Sequence, residues 1–271
     1  MSLKKQATLI GGNGFVGQHL DAHLRATGWI CEVISREDKE IPQRHLGHVF
    51  YCAGLTADFR ERPFDAVEAH VSYLAQWLKL GEFDSLTYLS STRVYANAAS
   101  TAENATLLVN PEVAGDLYNL SKLMGESLCL QSGRSVRIAR LSNVYGLQMP
   151  EKNFLAEILT AAVRDKHVRF LSAPESEKDY ISVRDVVTAL PNIALGGDDG
   201  ILNLASGVNV SNQMIADFLT EIGVVCEFEA NAPLIKFPRI DTQKLETKFG
   251  SRTSDLVQDL PSLLQHYGEA L

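Results

Sequence analysis

The chain has 271 residues, 45% of them hydrophobic and 21% charged, enough to bury a sizeable core in one large domain or two modest ones. Its formal net charge of −8 argues against a surface for nucleic acid or anionic membrane. No apolar run reaches the ~20 residues of a membrane span, and the N-terminus leads straight into a strand without a signal-like apolar region. Cys31, Cys52, Cys129 and Cys226 are scattered without a CxxC pair, so buried free thiols in a reducing cytoplasm are expected, with no metal and no disulfide.

Residues 7–10 read as a buried strand running into Gly11-Gly12-Asn13-Gly14-Phe15-Val16-Gly17. Gly11, Gly14 and Gly17 stand three apart. Lacking Cβ atoms, the first two permit a tight turn and close approach of backbone to a pyrophosphate. A helix starting near Gly14, with Phe15, Val16, Leu20 and Leu24 inward, would aim its N–H groups and positive dipole end at that phosphate. The other reading is a turn that merely packs helix on strand.

Further strands are expected at 30–34, 48–52, 85–89 and 136–141, with helices at 64–80 and 117–131. This alternation predicts an α/β fold with a doubly wound parallel sheet, whose ligands bind beyond the carboxyl ends of the strands. The residues after Ile10, Ile34, Cys52, Leu89 and Leu141 should then converge on one cleft. The pattern changes near Met149-Pro150. Helices are expected at 153–164 and 183–195, short strands at 168–171 and 201–204, an exposed turn at 196–200, and a helix capped by Ser211 running to Ile222. A cofactor-binding region over 1–148 and a small C-terminal α/β lobe over 149–271 follow, with about 179–205 packing back on the first.

Tyr118 and Lys122 fall at i and i+4 of a predicted helix and share one face. A neighbouring ammonium lowers the phenol's pKa by favouring the phenolate. Upstream, Leu89-Ser90-Ser91-Thr92 delivers hydroxyls to the same sheet edge, where one could bond a substrate oxygen while Tyr118 exchanges its proton. An ordinary surface tyrosine and a strand-end turn are the plainer alternative.

GGNGFVG, FYCAGLT, YLSSTRVY, YNLSK, RLSNVYG, KDYISVRDV, ILNLASG and PRIDTQKL occur in this order over almost the whole chain. In these stretches the sequence resembles the extended short-chain dehydrogenases/reductases, the NAD-dependent epimerase/dehydratase family. The resemblance implies a Rossmann-like cofactor domain, a C-terminal substrate lobe, and hydride transfer at a carbinol or carbonyl carbon. By position it implies a triad of Ser91, Tyr118 and Lys122, with Lys122 also holding the nicotinamide ribose. Gly11, Asn13, Gly14, Phe15, Val16 and Gly17 would hold the cofactor, with Ala53 and Gly54 near its adenine side. Leu89, Ser90, Leu141 and Asn143 would lie by its nicotinamide half. Ser91, Thr92, Asn143, Asn153 and Arg239 would face substrate, a sugar or nucleotide sugar. Asn153 is equally readable as a helix cap and Arg239 as a solvated charge.

Departures from the family pattern sharpen this. Where an acidic residue normally meets the adenosine ribose stand Ser35 and Arg36, which suit a 2′-phosphate, so NADP(H) is favoured over NAD(H). Thr92-Arg93 replaces the acid pair of 4,6-dehydratases, which argues against that reaction. His70 stands where asparagine is usual, either a structural replacement or an altered proton relay. Arg184 replaces an acidic residue of the KDYISVRDV stretch and hints at altered lobe contacts. The 64–80 helix carries one apolar face of Val67, Val71, Leu74 and Leu78 and a second of Tyr73, Trp77 and Leu80. That second face suggests a homodimer through this helix and the Tyr118 helix, unless the chain's own loops cover it. The competing class is a non-enzymatic dinucleotide-sensing protein on the same fold. Such a protein tends to lose the tyrosine or the lysine, and both are present here.

Overall fold

The computed structural model describes residues 5–35, 40–55, 59–196, 200–250 and 255–269. The first half runs β1 (Gln6–Ile10), α1 (Phe15–Ala26), β2 (Ile30–Ile34), β3 (His48–Tyr51), α2 (Pro63–Val67), α3 (Tyr73–Leu80), β4 (Ser85–Ser91), α4 (Asp116–Gln131) and β5 (Val136–Leu141). Then come β6 (Asn143–Tyr145), α5 (Phe154–Arg164), β7 (His167–Phe170), β8 (Glu177–Ser182), α6 (Val183–Leu195) and β9 (Gly200–Leu204). The chain continues through β10 (Asn209–Ser211), α7 (Asn212–Glu221), β11 (Val225–Phe228), α8 (Gln243–Phe249) and α9 (Leu256–Glu269).

Six strands form one parallel sheet in the order β2-β1-β3-β4-β5-β9. Its central strands are buried along their length because both faces are covered: every residue of β5 is buried, as is β4 up to Ser90. Leu20 and Leu24 of α1 share a core with Val186 and Leu190 of α6. On the other side Leu74, Trp77 and Leu78 of α3 and Cys129 of α4 pack with Val49, Leu86 and Ile138. A separate cluster, including Leu155, Leu159, Phe170, Ile215, Leu219 and Leu260, forms beside two small sheets, β10-β8-β6 and β11-β7. These short lobe strands carry too few alternating residues to stand out in the sequence, and β6, β8, β10, β11, α8 and α9 were not anticipated.

The 64–80 helix is not uniform. Between α2 and α3 a π-helical turn spans Glu68–Ser72 and buries His70 completely. Trp77 is also fully buried, and Tyr73 packs between Tyr51 and Trp77, with ring centroids 6.3 and 5.9 Å away. Most of the second apolar face is therefore covered by the chain itself, and Leu80 stays exposed. The four thiols are free, but only Cys129 is buried; Cys31, Cys52 and Cys226 are half-buried. Among the described residues no helix is long and apolar enough to cross a membrane, and no cluster of three or more His, Cys, Asp or Glu could hold a metal.

Candidate active site

At the carboxyl end of β1 the chain enters the glycine turn. Gly11 has φ +76°, the left-handed region, and a Cβ there would sit 2.7 Å from the Cα of Ala53. The ends of β1 and β3 are thus drawn together, and Cys52 N–H donates to Ile10 O at 2.8 Å. A Cβ on Gly17 would lie 2.6 Å from Gly12 Cα, so this glycine lets α1 start against the turn itself. Gly14 caps α1 without any side-chain hydrogen bond. A glycine-rich turn leading to a helix N-terminus that no side chain caps fits a pyrophosphate. Gly11 N–H also donates to Ile34 O at 3.3 Å, which brings the end of β2, and Ser35 after it, beside the turn. Arg36 lies outside the described residues.

The proposed triad assembles at the ends of β4 and α4. Tyr118 is 4% exposed, and its phenol lies near enough to the Ser91 hydroxyl for that group to lower its pKa. Ser91 Oγ also accepts the N–H of Arg93 at 3.2 Å, which fixes the hydroxyl at the strand end. Lys122 Nζ donates to Leu89 O at 2.9 Å and lies 5.9 Å from the centre of the Tyr118 ring. Burial raises the Tyr118 pKa above its ordinary value, against the lowering effects of the Ser91 hydroxyl and the Arg93 charge. Lys122 is pushed down to about 7, mainly by burial, with Glu126 and Cys52 opposing. The expected ammonium-driven lowering of the phenol is therefore not met in the protein alone, because desolvation dominates both groups.

Other residues behave differently from their sequence reading. Ser90 turns away from the cleft and donates to Glu126 Oε1 at 2.5 Å, so only its backbone can face a cofactor. Gly54 lies against the Lys122 end: a Cβ there would meet His70 Nε2 at 3.1 Å and Lys122 Nζ at 3.4 Å. His70 accepts Leu55 N–H on Nε2 at 3.3 Å, and its Nδ1 bonds Ser121 Oγ at 2.8 Å. Ser121 in turn donates to Tyr118 O at 2.9 Å, so a neutral imidazole protonated on Nδ1 satisfies the whole chain. Burial, with Lys122 nearby, depresses its pKa to about 2. His70 thus ties the end of β3 to the Tyr118 helix as a neutral clamp.

The sequence reading missed Glu126 altogether and held Arg140 only as the first residue of the RLSNVYG stretch. Arg140 donates to Glu126 in a two-pronged pair, Nε to Oε1 at 3.0 Å and Nη2 to Oε2 at 2.6 Å. Arg140 Nη1 donates to Tyr95 OH at 2.5 Å, and Tyr95 donates to Asn203 Oδ1 at 2.8 Å. Glu126 is four residues after Lys122 and on the same helix face, a spacing the sequence did display.

Toward the lobe, Asn143 is exposed at the start of β6, with its amide held by Asp179 O at 2.8 Å. Asn153 caps α5, accepting Leu155 N–H and Ala156 N–H on Oδ1, and the capping role is therefore real. Thr92 is buried. Arg239 is exposed and donates from Nε to Gly207 O at 2.6 Å; nothing places its charge beside the triad. Arg184 meets Asp259 at 3.5 Å on the surface.

A parallel sheet with a glycine turn at its first crossover, facing buried hydroxyl, phenol and ammonium groups, defines a dinucleotide-binding α/β protein of Rossmann-like design. Residues 7–205 match the NAD dependent epimerase/dehydratase family, and the chain belongs to that family. GDP-6-deoxy-D-mannose reductase from Pseudomonas aeruginosa is 28% identical over 246 residues, covering 79% of each chain. Among solved structures, RMD from Pseudomonas aeruginosa complexed with NADPH has a TM-score of 0.78 at 21% identity, over 98% of this chain and 100% of that one. MoeE5 in complex with UDP-glucose and NAD has a TM-score of 0.81 at 19% identity, over 98% of this chain and 99% of that one. At these identities the structural likeness establishes the fold.

Proposed function

We propose that the protein is an NAD(P)-dependent oxidoreductase or epimerase acting on an alcohol or ketone of a sugar or nucleotide sugar. The observation that carries this is the meeting of Ser91, Tyr118 and Lys122 at the same sheet edge as the glycine turn, with Lys122 Nζ held on Leu89 O and 5.9 Å from the Tyr118 ring centre. Residues 1–148 would bind the cofactor and 149–271 would shape the substrate site, with Thr92, Asn143, Asn153 and Arg239 as its candidate contacts. A bound nicotinamide would supply or take up the hydride. Tyr118, with its pKa raised, is protonated at neutral pH and suited to donate its proton to a carbonyl oxygen. Ser91 would hold that oxygen by a second hydrogen bond. Lys122 would bond the ribose through Nζ, which the bond to Leu89 O already aims.

The preference we assign is NADP(H), on the strength of Ser35-Arg36 at the end of β2, with NAD(H) as the weaker partner. We extend the proposal to a cytoplasmic enzyme and to a homodimer packed through the 64–80 helix and α4, where Phe64 (87%), Leu80 (52%) and Met124 (56%) are exposed. The test is a panel of nucleotide sugars incubated with NADH or NADPH, with absorbance followed at the nicotinamide band. A net reductase consumes reduced cofactor stoichiometrically, faster with NADPH. An epimerase converts the sugar and leaves the absorbance unchanged. Failure of every sugar with both cofactors, in either assay, would contradict the proposal.

A further inference from the structure

Two arginines and a lysine group near the triad. Arg93 follows Ser91 by two residues, and its guanidinium lies 5.6 Å from the Phe59 ring centre. Phe59 itself packs on Tyr118, with ring centroids 5.0 Å apart. Arg60 also lies over the Phe59 ring, 4.8 Å from its centre. From the lobe comes Lys178 of β8, with Nζ 4.5 Å over the Phe154 ring. These groups sense one another: Arg60 lowers the pKa of Arg93 and Arg93 lowers that of Lys178, each in addition to the larger effect of burial. Among the described residues none of the three forms an ion pair, and Arg93 Nε is buried with no hydrogen-bond partner. The carboxylate that acts on Arg93 is Asp116, and its two oxygens already accept Asn119 Nδ2 at 2.8 Å and Asn110 N–H at 2.8 Å.

A half-buried guanidinium with a buried, unused N–H beside like charges is unfavourable unless a ligand anion completes it. We propose that Arg93, supported by Arg60 and Lys178, selects a substrate whose reacting sugar carries a carboxylate. The position favours the sugar over a distant diphosphate, because the Arg93 guanidinium packs on the Phe59 ring that itself packs on Tyr118. The planar fork of a guanidinium matches a carboxylate through two parallel hydrogen bonds. Anchored from β4 on one side and β8 on the other, the anion would also draw the lobe onto the sheet edge.

This inference rests on the proposed function, and binding measured apart from turnover separates the two. The cofactor-loaded protein is titrated calorimetrically with UDP-glucuronic acid against UDP-glucose, and with GDP-mannuronic acid against GDP-mannose. Each pair differs only in a carboxylate against a hydroxymethyl group. The acidic member of at least one pair should bind about tenfold tighter or more, and Arg93→Gln should remove that margin while weakening the neutral sugar less than threefold. Arg93→Lys, which keeps the charge without the fork, should retain part of the margin. Equal affinities, preference for the neutral sugar, or no binding by any of the four would overturn the inference. Equal weakening of both sugars by Arg93→Gln would overturn it too, assigning Arg93 to the diphosphate or to the fold. Selective binding of the acidic sugar without turnover would sink the proposed reaction and leave this site standing.

Discussion

Gly11 and Gly17 shape one end of the cleft by what they lack, whereas Tyr118, Lys122, Glu126 and Arg140 shape the other by charge taken out of water. At the glycine turn, backbone approaches backbone to within distances that any side chain would forbid. At the triad, buried polar groups hold one another: Ser90 and Arg140 on Glu126, Lys122 on Leu89 O, His70 between Leu55 and Ser121. Substitutions at the first end should act by crowding and at the second by stranding charge. The first end locates a cofactor, and the second decides what chemistry is done there.

Breaking the second end should have the larger effect on stability. Glu126 and Arg140 have side chains only 4% and 3% exposed, so Arg140→Leu leaves a buried carboxylate without its partner. That should cost about 3–5 kcal/mol in urea unfolding. The double variant with Glu126→Leu should recover much of the loss, because neither charge then remains to be desolvated. A loss near zero in Arg140→Leu would show that the pair is not a structural unit.

At the first end, Gly17→Ala places a methyl 2.6 Å from the Gly12 backbone, which cannot rotate aside as a side chain could. Thermal or urea unfolding should show about 1–3 kcal/mol of destabilisation, with weaker binding of NADPH as α1 shifts. Unchanged stability would mean the turn has slack that the geometry denies.

A smaller effect sharpens the contrast through pH. Lys122 has a pKa near 7 in the folded chain, against about 10.4 when unfolded. Between those values the unfolded chain binds the extra proton, so this group makes stability rise with pH above 7. Cys52 and Cys129, pushed up to about 12, act in the opposite direction above pH 9, so the clean window is pH 7 to 9. Lys122→Met should flatten the rise in melting temperature across that window. An identical slope in both proteins would contradict the burial of an ionisable lysine.

How much of this was legible in the sequence follows from the same contrast. β2, β5 and α6 run over the residues that apolar runs and turn signals predict, because their packing is continuous. The glycine spacing and the Tyr118–Lys122 spacing were visible for a similar reason, since each is a local pattern. The π turn at Glu68–Ser72 was not, for no Pro or Gly interrupts that helix, and with it went the buried setting of His70. Ser90 reads as a cleft hydroxyl in one dimension, but its side chain faces Glu126, 36 residues away in sequence. The raised pKa of Tyr118 depends on burial from several elements, which i,i+4 spacing does not reveal. Arg93 looked like a mere departure from a family pattern until its lack of a partner could be seen.

The central claim is that Tyr118 exchanges the substrate proton, and Tyr118→Phe tests it most directly. The change removes one hydroxyl and keeps the ring that packs on Phe59 and His70. On the sugar that wild type turns over, kcat should fall about 10²- to 10⁴-fold, with unfolding and cofactor binding little altered. Turnover surviving near the wild-type rate would contradict the assignment of the triad.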